Sequence, residues 1–178
     1  MNRLKLKWLY FLLVCLWSPL CVAQNLPPFS VTGVSFYQPK EELRERMGDN
    51  PDVFVHYVEQ ISLEMKKVFE KAASGKGASG ALVIAIKPGS KARYWLALGS
   101  NHLDQSVHDQ ILSIAAKATP MDVRGVVAMA IHFDAWGGGT AITQAQFPYA
   151  MPVEWEQALK TSGGGRLPDA VLSVLWPD

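Results

Sequence analysis

His132 and Asp134 stand two residues apart near the end of an apolar run, with Trp136 two further on and Gly137-Gly138-Gly139 beyond. Alternate residues of an extended chain share one face, so imidazole and carboxylate project together, as they do where a carboxylate orients a histidine base. The chemistry such a pair would serve is hydrolysis, but no serine or cysteine nucleophile is placed beside it by sequence. A half-exposed strand end accounts for both side chains without catalysis. His132, Asp134 and Trp136 are therefore read as a binding candidate, and no catalytic residue is assigned.

Two other patterns carry chemistry in other proteins. Gly75-Lys76-Gly77-Ala78-Ser79-Gly80 matches the G-x-G-x-x-G string of dinucleotide sites letter for letter. That fingerprint works when a strand leads into the glycines and a helix leaves them, because the helix N-terminus receives the pyrophosphate. Here a helical pattern precedes and a strand pattern follows, so the string is read as a flexible connector and no cofactor is expected. His56 has no second ligand four residues away, and no metal site is expected either.

The elements that must position these residues are legible from periodicity. Phe54, Tyr57, Val58, Ile61, Met65, Val68, Phe69 and Ala72 recur at three- and four-residue steps between Pro51 and Ala73, with charged residues elsewhere, which predicts an amphipathic helix. Asn50 suits its N-cap and Gly75 its exit. Two apolar runs, Ala81 to Ile86 and Ala92 to Leu98, flank Pro88-Gly89 and predict an antiparallel hairpin. Leu103, Val107, Ile111, Ile114 and Ala115 predict a second helix from about His102 to Lys117, capped by Ser100 or Asn101 and closed by Pro120. A third strand is expected from Val123 to Asp134, with Val127, Met129, Ile131 and Phe133 on one face and smaller, finally polar residues on the other.

Flanking segments are less regular. Pro27, Pro28 and Pro39 surround a run in which Val31, Val34 and Phe36 suit a short edge strand, and Glu41 to Met47 read as a charged helical turn or two. Pro152 to Leu159 read as a short helix holding Trp155. Gly163-Gly164-Gly165 read as a hinge of a C-terminal segment, 163–178, in which Leu167 to Trp176 is expected to dock separately as either a short helix or a final strand. Trp136, Phe147, Tyr149, Trp155 and Trp176 crowd this half, as core or as a contact surface. The expected fold class is α+β: a small antiparallel sheet, hairpin plus third strand, packed against two amphipathic helices in one domain.

At the N-terminus, Arg3, Lys5 and Lys7 precede an apolar core from Trp8 to Leu16, broken by Pro19 and followed by Cys21-Val22-Ala23. This is the pattern of a cleaved export signal, too short to span a bilayer of roughly 30 Å. Residues 1–23 are expected to leave, so that the mature chain of 24–178 starts at Gln24 and is free of membrane spans. Both cysteines, Cys15 and Cys21, go with them, and a lipid anchor at Cys21 is disfavoured by Leu20 in front of it. The leader also takes three of the seventeen basic residues and none of the sixteen acidic ones. The slightly acidic remainder offers nothing to nucleic acid, and the expected compartment is the bacterial periplasm.

Hairpin, helix and third strand, in the order Gly80 to Leu98, His102 to Lys117 and Thr119-Pro120 into Val123 to Phe133, resemble the C-terminal domain of TonB and TolA proteins. The resemblance covers about residues 80–134 and rests on topology and apolar pattern. It implies a three-stranded antiparallel sheet on helices and a role in binding envelope proteins, in the TonB case by pairing with a short extended peptide. The chain departs from those proteins in its leader, in the turn from Lys87 to Lys91, and in the residues after the third strand. The function expected is that of an exported, non-catalytic protein-binding module whose partner is an envelope protein or an exported toxin or hydrolase. An immunity or inhibitor protein, a small hydrolase using His132 and Asp134, and a carrier with a tryptophan-lined pocket are the alternatives.

Overall fold

A computed structural model describes residues 27–48, 51–73, 75–99, 103–138, 151–163 and 165–177. The expected leader with its two cysteines, the caps Asn50, Ser100 and Asn101, and Phe147 and Tyr149 lie outside them.

Four strands form one antiparallel sheet: β1 (Phe29–Phe36), β2 (Ala78–Lys87), β3 (Lys91–Leu98) and β4 (Val127–Ala135), in the order β1-β4-β2-β3. The hairpin β2–β3 pairs Gly80 with Leu98 through Lys87 with Lys91, and β2 also pairs along its length with β4, from Ala78 opposite Ala135 to Ile86 opposite Val127. β4 and β2 are thus interior, which is why both read as almost unbroken apolar runs. β1 closes the far side against β4, with a register shift between Val31 and Gly33. The expected hairpin and third strand therefore acquire a fourth strand, the run foreseen as an edge.

Five helices are described: α1 (Lys40–Met47), α2 (Pro51–Lys71), α3 (Gln105–Ala115), α4 (Val153–Thr161) and α5 (Asp169–Leu175). One sheet face, made of Leu82, Ile84, Ile86, Met129, Ile131 and Phe133, packs on Ile61, Met65 and Phe69 of α2 and Ile111 of α3. Ile61, Ile111 and Ile131 are buried to 1% exposure or less, each contributing about 1.5–3 kcal/mol over an exposed position. The opposite face carries Ala81, Val83, Ala85, Ala97, Ala128 and Ala130, and α4 and α5 cover it with Trp155, Ala158, Val171 and Leu172. A surface of alanines leaves room for an indole above it. Trp155 fills that space at 0% exposure, against Tyr37 and Trp95 at 4.9 and 5.5 Å between ring centroids. The architecture has three layers, with the expected α+β class and antiparallel sheet in place and helices on both faces.

Several boundaries move. The second helix begins at Gln105, with Asp104 at its N-cap making no side-chain cap bond. The third strand begins at Val127, because Met121 and Val123 turn into the core as loop residues and Arg124 N–H donates to Arg46 C=O at 2.7 Å. Leu167 to Trp176 resolves as the helix α5.

The glycine string proves to be a close-packed crossing. Ala78, Ser79 and Gly80 already belong to β2, so only residues up to Gly77 connect. A Cβ on Gly77 would lie 2.0 Å from the carbonyl oxygen of Gly138, and one on Gly80 2.9 Å from both Leu98 and Phe133. The glycines admit neighbouring chain, which replaces the flexible connector expected from composition.

Candidate functional site

β4 presents His132 and Asp134 on the alanine face of the sheet, at the end away from Ala128 and Ala130. His132 Nε2 lies 2.8 Å from Ser35 Oγ on β1, and Asp134 Oδ1 accepts from Ser79 Oγ on β2 at 2.5 Å. The two side chains thus turn to opposite neighbours, one serine each, and the carboxylate does not hold the imidazole. Burial depresses the His132 pKa below its usual value, favouring the neutral ring. A neutral imidazole beside a serine hydroxyl is a competent proton acceptor in principle, but the orienting acid of a triad is absent from this pair because Asp134 is engaged by Ser79.

Trp136 parts company with them. The backbone at Trp136 takes φ 49°, which breaks the strand alternation. Its ring joins the other face, edge-on to Phe69 at 5.3 Å and against Gly75. His132, Asp134 and Trp136 therefore do not form one surface, and the structure assigns Trp136 to the core.

A better-formed site lies at the other edge of the sheet. β3 has β2 on one side and no described strand on the other. Gly99 N–H donates to Ser79 C=O at 2.9 Å, which sets the alternation of the ladder: Arg93, Trp95 and Ala97 bond inward to β2, and Ala92, Tyr94, Leu96 and Leu98 direct their N–H and C=O outward. The outward residues project their side chains onto the face covered by α2 and α3. Between this edge and the end of α3 runs a groove of about 480 Å³, lined on the strand side by Ser90, Ala92, Arg93, Tyr94 and Trp95 and on the other by Leu112, Ala116 and Pro120.

Two contacts hold the strand side of the groove. Tyr94 Oη lies 3.0 Å from Tyr57 Oη of α2, and burial raises both phenol pKa values. On the far side of the strand, Arg93 donates to Leu175 C=O at 2.8 Å and lies over the Trp176 ring at 5.1 Å, with Lys87 Nζ over the same ring at 5.1 Å and bonded to Trp176 C=O at 2.6 Å. These bonds satisfy carbonyls at the C-terminal end of α5 and attach that helix to the hairpin.

Sequence reasoning missed Ser35 and Ser79 as partners of the His/Asp pair, since they lie on strands 97 and 55 residues away. It missed the groove because the lining residues come from elements whose facing is set by tertiary packing. No protein-family model, curated protein or solved structure matches the chain. No described helix is long and apolar enough to cross a membrane, and the described residues contain no cluster able to hold a metal ion.

Proposed function

We propose that this chain is an exported, periplasmic, non-catalytic protein-binding module of the kind its likeness to the TonB and TolA C-terminal domains suggests, taking an extended segment of an envelope protein as an added strand on β3. The observation that carries the reading is the outward-facing backbone of Ala92, Tyr94, Leu96 and Leu98 beside an open groove. Strand addition draws affinity from main-chain hydrogen bonds and selectivity from pockets for alternate side chains, and this edge supplies both. An exported toxin or hydrolase docked in the same way would make the module an inhibitor.

The test is Ala92→Pro. Proline there removes one outward N–H and leaves the ladder to β2 intact, so the melting temperature should hold while strand addition is blocked. After crosslinking in an envelope extract, a partner attached to residues 91–98 of the native chain and lost from the variant supports the reading. Equal capture by both chains, or attachment elsewhere, overturns it.

A small hydrolase is the second reading, favoured by the 2.8 Å approach of Ser35 Oγ to His132 Nε2. Labelling of Ser35 by a fluorophosphonate, abolished in Ser35→Ala, would support it; an unlabelled Ser35 removes it.

A further inference from the structure

We infer that the segment accepted by β3 alternates apolar with acidic side chains, apolar toward α3 and acidic toward Arg93. This rests on the strand-addition reading and specifies its partner. A strand paired with β3 places its side chains on the same two faces as their cross-strand neighbours. Those opposite Ala92 and Tyr94 meet the groove walls Leu112 and Ala116, where no lining residue is acidic. Those opposite Lys91 and Arg93 meet exposed cations.

Among the described residues, the exposed charges on this strand, Lys91 and Arg93, are both positive. Lys91 pairs with Lys87 across the hairpin, Arg93 follows on the same face, and Lys117 stands next to Ala116 at the other wall. Like charges opposite each other are unfavourable unless something offsets them. The carbonyls of Leu175 and Trp176 offset Arg93 and Lys87 in part. Lys91 and Lys117 are exposed, and the ion pairs formed by described residues leave both out. Among the described residues near Pro120, Asp122 is exposed two positions further on, and it lies outside the groove lining. An incoming carboxylate beside Lys91 and Arg93 would complete the pattern, and an incoming lysine there would be repelled.

Four synthetic octapeptides separate the outcomes: alternating valine and glutamate, alternating valine and serine, alternating valine and lysine, and the glutamate peptide reordered into pairs of like residues. Each is titrated into the full chain while the backbone amides of β3 are followed by NMR. The alternating glutamate peptide is expected to shift the amides of residues 92–98 and to bind about fivefold more tightly than the serine peptide, with the lysine peptide weakest. Lys91→Glu should remove that advantage with β3 still responding.

Equal affinity for all alternating peptides, with β3 responding, overturns the acidic preference and leaves strand addition standing. Equal binding of the reordered peptide overturns the alternation. If no peptide moves the β3 amides, strand addition itself fails. A concentration-dependent dimer whose β3 amides are protected without peptide would assign the edge to a second copy of the chain and overturn the inference.

Discussion

The carbonyl oxygen of Gly138 occupies the space in which a Cβ of Gly77 would stand, at 2.0 Å. The crossing where the chain enters β2 is thus wedged against the turn that leaves β4, two segments about sixty residues apart. Gly77→Ala should force one of them to move and cost about 1–3 kcal/mol, read as a lower urea midpoint. Gly33→Ala, where nothing lies within 4 Å of the added carbon, should leave stability unchanged or raise it by up to about 1 kcal/mol. Equal effects at the two positions would contradict the packing described.

Trp155 combines complete burial with an indole N–H that has no acceptor among the described residues. Such a group carries a desolvation cost of about 1–3 kcal/mol. Trp155→Phe gives up some contact with the alanine face but relieves that cost, so its stability should stay within about 1 kcal/mol of the native chain. Trp155→Ala leaves a cavity and should cost about 3–5 kcal/mol. Denaturant unfolding of both variants checks the pair, and a phenylalanine variant as unstable as the alanine one would mean that the N–H is satisfied.

His132 makes stability depend on pH in one direction. Its folded pKa lies below the usual value of 6.5 because burial penalises the charged ring. The unfolded chain therefore binds the proton more readily. The contribution is fully present above the unfolded pKa and is lost as pH falls from about 6.5 through the lower folded value. Melting temperatures at pH 7.5 and 5.5 should differ more for the native chain than for His132→Gln.

Arg46 ties three elements together. Its Nη1 donates to Val126 C=O at 2.6 Å, and its two terminal nitrogens reach the Asp169 carboxylate at 3.1 and 2.9 Å, with Glu42 of its own helix also paired to it. The Asp169 side of this clamp is half exposed, so solvent screens it. Arg46→Ala should cost about 1–1.5 kcal/mol, through the lost charged donor to the Val126 carbonyl, which keeps Gln38 Nε2 at 2.9 Å as its other partner. Asp169→Asn should cost less than about 1 kcal/mol. Thermal unfolding of each variant reads the difference.

The elements with strong periodicity were legible: the stripe from Phe54 to Phe69, the hairpin around Pro88-Gly89, and the alternation from Val127 to Phe133 all stand in the structure. What stayed hidden depends on facing. Ala81, Ala128 and Ala130 read as weak hydrophobic positions, and only their assembly into one flat surface explains why Trp155 lies there. Trp136 continues the strand's alternation on paper, and the positive φ that sends it to the other face is a property of a turn packed on Gly75. His132 and Asp134 do share a face, yet each is claimed by a serine whose position follows from strand register across a hundred and across some fifty residues.

Among the described strands β1 pairs only with β4, and Ser35 meets His132 across 97 residues of chain. The pairing of β1 with β4 thus spans more sequence than any other pairing of the described strands. Hairpin and α3 can form from neighbouring sequence, but Phe29 and Phe36 find no bonding partner until residues 127–135 have emerged. Closing so long a loop is slow compared with local contacts. Between synthesis and that closure β4 offers an unpaired edge of its own, and the span of chain that separates them sets how long a chaperone would have to guard it.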